Sequence, residues 1–113
     1  MVRGGIYLFD PSPRSGSELK GLRPCILVSH SLYASSWKSV TVVPLSTSAR
    51  WLEPSSVRVQ FEVGECGLQR RCAALPHQIT TADRGKLKGP PIGHLTPGKQ
   101  AELDEAIRNY LSL

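Results

Sequence analysis

The chain lacks most of the features that mark a special environment. Its longest apolar stretch, Val40 to Leu45, already contains Thr41 and Pro44 and falls well short of the roughly 18 residues of a spanning helix. The opening Met1-Val2-Arg3-Gly4-Gly5 has no apolar core of a secretory signal. Cysteine is scarce and odd in number: Cys25, Cys66 and Cys72 form no C-x-x-C pair, which suits neither a disulfide framework nor a zinc site. The expectation is a reduced, cytoplasmic chain, with no membrane association, whose thiols are small buried or half-buried side chains. No internal repeat and no low-complexity segment is present.

Several catalytic patterns are missing too. His30, His77 and His94 are scattered, without H-x-x-x-H spacing or a nearby carboxylate cluster, and read as ordinary surface or interface histidines. No G-x-S-x-G elbow supports a serine hydrolase. Gly16 and Gly21 have the spacing of a phosphate-binding loop, but Leu22-Arg23 follow where Lys-Ser/Thr is needed. A strand, not a helix, comes next, so the helix N-terminus that such a loop relies on is absent. The expectation is that the protein uses neither metal nor cofactor.

What is present is one domain's worth of chain: 113 residues, 40% hydrophobic, with a net charge of +5. Short strands are predicted at Ile6–Phe9, at 23–29, at 39–46 and at 71–75. A cleanly alternating one spans 56–63, with Val57, Val59, Phe61 and Val63 on one face. Between the first two lies a Gly/Ser-rich, charged loop at 12–22, longer than a hairpin needs. At Thr96-Pro97 the period changes: threonine suits the N-cap and proline the first helical position. Leu103, Ala106, Ile107, Tyr110 and Leu111 then recur as the stripe of an amphipathic helix. That helix carries −1, which leaves +6 on residues 1–96, so the excess positive charge belongs to the β part. Short strands with one terminal helix predict a small, twisted sheet or partly closed barrel.

A polar constellation without metal ligands remains: Glu18, Arg23, Ser46, Thr47 and Gln78. Arg23 opens an apolar strand, where a guanidinium needs an acidic partner or a cleft to line. Pairing with Glu18 and lining a site are both open on spacing alone. Ser46 and Thr47 read equally as a hydroxyl-rich strand end or as phosphate-holding groups.

Taken in order, the segments resemble the MazF/PemK family of toxin endoribonucleases. Arg3-Gly4-Gly5-Ile6-Tyr7 is similar to the family's R-G-[DE]-[IV]-[YW] opening, followed by Phe9-Asp10-Pro11. Gly16-Ser17-Glu18-Leu19-Lys20-Gly21-Leu22-Arg23-Pro24 matches G-S-E-x-x-G-x-R-P, the most specific part. Val42-Val43-Pro44-Leu45-Ser46-Thr47 resembles V-P-[LC]-T, and His77-Gln78-Ile79-Thr80-Thr81-Ala82-Asp83-Arg84 resembles D-Q-I-R-T-[IV]-D-[KR]. Gly5 stands for an acidic residue, Ser46 for threonine and Thr80 for arginine.

The resemblance implies a mainly β fold with a C-terminal α-helix, a small SH3-like barrel of the MazF/PemK/CcdB type, acting as a homodimer. It implies metal-independent, sequence-selective cleavage of single-stranded RNA, mostly mRNA, restrained by a cognate acidic antitoxin, with DNA met only through the antitoxin complex. Arg23 and Ser46 take the catalytic positions, Thr47 is a substitute hydroxyl, and Glu18 is a candidate base or a partner for Arg23. Ser17, Lys20, Thr47, Gln78 and Thr80 are expected to contact RNA, with Tyr33, Trp37 or Trp51 as stacking candidates that more readily serve packing. The alternatives are a non-catalytic barrel binding an acidic tail or nucleic acid, and a gyrase-directed toxin on the same fold.

Overall fold

The computed structural model describes residues 1–10 and 22–113. Seven strands, β1 (Gly5–Phe9), β2 (Arg23–Leu27), β3 (Ser39–Ser46), β4 (Val59–Phe61), β5 (Cys72–Ala74), β6 (Thr80–Asp83) and β7 (Leu87–His94), form one antiparallel sheet. A short helix α1 (Ser31–Ser36) joins β2 to β3, and the long helix α2 (Pro97–Leu111) ends the chain. The strand order is β4-β5-β3-β2-β1-β7, with β6 added on β3. Among the described residues no ladder joins β4 to β7, so the expected barrel is a curled sheet that hydrogen bonds do not close.

β3 is the pivot of the sheet. One edge pairs with β2, while the other pairs with β6 over Ser39–Val42 and with β5 at Leu45 and Ser46. Period-two alternation splits neighbouring residues between two cores. Ile6, Ile26, Val43, Leu45 and Phe61 go to the face covered by Leu103 and Ala106 of α2. Tyr7, Cys25, Leu27, Val40 and Val42 go to the opposite face, covered at one end by Ala34 of α1. Toward Arg23 and Ser46, the described residues of the second face border two clefts.

The C-terminal helix starts as its sequence predicts. The Thr96 hydroxyl accepts from the Lys99 N–H at 3.1 Å, and Pro97 occupies the first turn. Leu103 and Ala106 are buried and Ile107 half-buried, whereas Tyr110 and Leu111 stay exposed past the edge of the sheet. Arg3 ties this helix to the start of the chain. Its guanidinium reaches Asp104 Oδ1 at 2.8 Å and the Val28 carbonyl at 3.0 Å, and Gln100 donates to the same carboxylate oxygen at 3.0 Å.

Three elements escaped the sequence reading. β7 contains Gly89, Pro90 and Pro91, which ordinarily argue against a strand. They are tolerated because β7 is an edge strand that among the described residues pairs only with β1, and its register breaks between Leu8–Lys88 and Ile6–Gly93. β6, with no buried residue, has no apolar alternation to find. α1 is only six residues long and buries Ala34 alone. The alternating 56–63 segment contracts to three residues, since Val63 is 70% exposed where the chain turns away at Gly64.

The 62–71 connection is pinned from behind. Gly64 N–H donates to Leu68 O at 2.7 Å and Leu68 N–H to Glu65 O at 2.8 Å, with Gly67 at φ +84°. Gly93 of β7 sits against the Cys66 carbonyl so closely that a side chain there would collide with it. Glycine at 93 therefore lets two segments of backbone touch.

Candidate nucleic-acid interface

Arg23 and Ser46 end adjacent strands. The β2–β3 ladder ends at Cys25–Pro44, and the same register continued two residues further would set Arg23 opposite Ser46. By alternation both share the face of Cys25 and Val42, on the side that borders the clefts. Arg23 is exposed and Ser46 half-buried, and the Ser46 Oγ accepts from the Ser48 N–H at 3.1 Å. Among the described residues no carboxylate pairs with Arg23. The guanidinium lines a cleft, one of the two options its position allowed.

Two clefts meet at this point, and Arg23, Pro24, Leu45 and Ser46 belong to both. The smaller, about 400 Å³, is walled by Phe9, Trp51, Gln78 and Thr80. The larger, about 650 Å³, has aliphatic walls that include Leu8, Leu68 and Ile92, with Thr47, Gln69 and Arg70 as polar groups. The structure thus brings Arg23, Ser46, Gln78 and Thr80 together around one cleft and places Thr47 beside the other. Ser17, Glu18 and Lys20, with the rest of the 12–21 segment, lie outside the described residues.

Each wall has a local cause. Pro76–Gln78 forms a single turn of 3-10 helix that carries Gln78 to the start of β6, where Thr80 pairs with Val42. Gln78 Nε2 lies 3.4 Å from His77 Nε2. The His77 ring stands 4.8 Å from the indole of Trp51, which arrives on its own 3-10 turn at Ala49–Trp51. The guanidinium carbons of Arg50 and Arg58 lie 4.8 and 5.4 Å from the same indole centroid, within cation–π range. Tyr33 and Trp37, by contrast, stack on one another on α1 at 4.7 Å, exposed and away from the clefts.

Phe9, Gln69 and Arg70 line the clefts and were missed by sequence reasoning. Phe9 reads as the end of a strand. For Gln69-Arg70-Arg71, a polar run between two apolar strands was the available signal, but nothing in it tells which side chain faces the site. Arg71 pairs with Glu62 at 3.6 Å and donates to Leu52 O at 3.2 Å. Gln69 and Arg70 have no side-chain partner among the described residues.

Cys72 also lines the larger cleft, with its thiol disfavoured as a thiolate. Burial, and secondarily the neighbouring Cys66, pushes its thiol up to about 11. Burial likewise takes Cys25 to about 12, outweighing a hydrogen bond from the Tyr7 backbone. Both stay protonated near neutral pH.

A guanidinium without a carboxylate partner among the described residues, beside a hydroxyl where an aromatic–amide cleft meets an aliphatic one, is an arrangement able to hold an anion. Such a site suits a phosphodiester whose flanking groups run both ways. The chain belongs to the PemK-like, MazF-like toxins of type II toxin-antitoxin systems, whose family pattern it matches over residues 2–111. It is 31% identical over 118 residues to the endoribonuclease MazF9 of Mycobacterium tuberculosis, covering 100% of this chain and 98% of that one. It is 29% identical over 113 residues to the endoribonuclease MazF of Staphylococcus saprophyticus, covering 100% and 92%. Its fold superposes with a TM-score of 0.79 on a mycobacterial endoribonuclease solved in complex with its cognate antitoxin. That likeness, at 21% identity, covers 100% of this chain and 96% of the other.

Proposed function

We propose that this MazF-type endoribonuclease toxin cuts single-stranded RNA, mRNA above all, at selected sequences and without a metal ion. The 2′-OH attacks the adjacent phosphorus, the P–O5′ bond breaks, and the products are a 2′,3′-cyclic phosphate and a 5′-OH. The observation that carries this reading is the placement of Arg23 beside Ser46 where two clefts join.

As O2′ bonds to phosphorus, negative charge grows on the non-bridging oxygens. The Arg23 fork donates two parallel hydrogen bonds to them and supplies the positive charge that a metal would otherwise bring. The Ser46 hydroxyl, or Thr47 beside it, holds a phosphate oxygen so that attack and departure stay in line. The proton from O2′ goes to a base, for which Glu18, outside the described residues, is the candidate. The departing O5′ takes a proton from Arg23 as that residue's second role; a guanidinium holds its own proton tightly, so charge stabilisation is its first. Gln78 and Thr80 read base edges, and Ser17 and Lys20 hold the strand.

A cognate acidic antitoxin competes for the same cations, in the cytoplasm, and DNA is met only through that complex. Two copies form the working unit; exposed Leu32, Tyr33 and Trp37 on α1 give a second copy an apolar surface. Cleavage of a long single-stranded RNA in EDTA tests the whole reading. The wild type should cut and leave cyclic phosphate ends, while Arg23→Ala should fold yet lose cleavage by about 10²-fold or more. Equal cutting by Arg23→Ala would overturn the site.

A further inference from the structure

We propose that the larger, aliphatic cleft is a second base-reading subsite, in which Arg70 and Gln69 select the nucleotide on the side of the cut opposite to the one read by Gln78 and Thr80. The inference rests on RNA cleavage at Arg23 and Ser46 and deepens it. A scissile phosphate has a nucleoside on each side, one carrying the attacking 2′-OH and the other the departing O5′. A phosphate held at the shared rim therefore sends its two neighbours in opposite directions. At about 400 and 650 Å³, both clefts fall within the roughly 300–1,000 Å³ of small-ligand sites.

The two clefts offer different chemistry. The smaller one combines aromatic faces with an amide and a hydroxyl, suited to stacking and to edge recognition. The larger one has no aromatic wall among the described residues. Leu8, Leu68 and Ile92 can hold a base plane by apolar contact, while the edge must be read from the rim. Gln69 and Arg70 supply that rim. Arg70 presents a planar fork that matches two adjacent acceptors, as guanine offers at O6 and N7.

The rim is held as a reading head requires. Lys99 Nζ lies 3.8 Å from Glu65, Glu65 accepts from the Glu62 N–H at 2.8 Å, and the Cys66–Gly67 turn rests on Gly93. Arg71 is occupied by Glu62 and Leu52 O, so its neighbour Arg70 is the member of the pair left facing the cleft. The backbone that carries Gln69 and Arg70 is thus held from behind, and their polar tips have no partner among the described residues.

Mapping cleavage ends on a long single-stranded RNA tests this with the wild type, Gln78→Ala, Arg70→Ala and Arg70→Lys, each checked for folding by thermal melting. Gln78→Ala should relax base preference on one side of the cut, and Arg70→Ala on the other, each by about five- to a hundredfold, with cyclic phosphate ends retained. Arg70→Lys, which keeps the charge but not the fork, should lose that preference while keeping the wild-type salt dependence. Three results overturn the inference. Both positions could act on the same side of the cut. Arg70→Ala could slow every site alike, marking a phosphate contact. It could instead leave cut sites untouched while weakening an acidic antitoxin peptide, marking a protein-docking cleft. A wild type that cuts no RNA would overturn the cleavage reading itself, an outcome distinct from these three.

Discussion

Ser46, the last residue of β3, lines both clefts together with Arg23, the first residue of β2, and its backbone pairs with Ala73 of β5. Its backbone is thereby held by β5 and its hydroxyl accepts from the Ser48 N–H at 3.1 Å, whereas Thr47 is the first residue past the strand and lies beside the larger cleft. Ser46→Ala should lower kcat by about 10²–10³-fold, and Ser46→Thr should keep or raise it, because β-branching stiffens the hydroxyl. Thr47→Ala should cost far less. Single-turnover cleavage of one short RNA by the three variants checks the order; a larger loss in Thr47→Ala than in Ser46→Ala would move the catalytic hydroxyl to 47.

Trp51 is half-buried at the wall of the smaller cleft, with His77 and two arginines around its ring. Stacking on an aromatic face contributes about 1–3 kcal/mol per base. Trp51→Ala should therefore raise KM about five- to a hundredfold with a smaller change in kcat, and Trp51→Phe should recover most of it. A fall in melting temperature with KM unchanged would mean that the ring serves packing alone.

The Arg3–Asp104 contact predicts a pH-dependent part of the stability. Burial pushes the Asp104 carboxyl up, but hydrogen bonds from Arg3 and Gln100, with the charges of Arg3 and Arg108, outweigh it and hold the group below its ordinary value. A carboxylate with a lowered folded pKa contributes stability that is full above its unfolded pKa and is lost as pH falls through the folded one. Asp104→Asn should thus be less stable than the wild type at pH 7, by about 1 kcal/mol after solvent screening. The gap should close as pH falls below about 4. Urea melts of both proteins at pH 7 and pH 3 measure it, and a gap unchanged at pH 3 would disprove the ionic origin.

How much of this was legible depends on whether a residue's role follows from its own neighbours in the chain. β3 shows its bounds because Val40, Val42 and Val43 feed two cores at once, and α2 shows its start because Thr96 and Pro97 carry cap chemistry. Arg23, Ser46, Gln78 and Thr80 were legible through the ordered motifs, and the sheet brings them to one cleft. Phe9 and Arg70 were not, because their place at the site is made by the β1–β2 register and by a turn backed on Gly93. The prolines of β7 mislead for a similar reason. Their lack of an N–H is harmless only on an edge strand with a broken register, which is a property of the partner strand.

The open cleft also fixes how salt should act. Arg23 and Arg70 line the two clefts, and Arg50 and Arg58 flank Trp51, without a carboxylate partner among the described residues. The pairings within α2, Lys99 with Glu102 at 3.6 Å and Arg108 with Glu105 at 3.4 Å, involve none of these arginines. An RNA strand and an acidic antitoxin segment would both meet these cations, so both affinities should fall as salt rises. RNA binding by the non-cleaving Arg23→Ala variant, titrated from 0.1 to about 0.5 M salt, should weaken steeply, with a log–log slope of about −0.7 per phosphate contacted. Arg70→Lys and Arg70→Ala should both keep that slope, since Arg70 reads a base edge and not a phosphate. Affinities for RNA and for an acidic antitoxin peptide that both ignore salt would mean that neither ligand is held by this group of arginines.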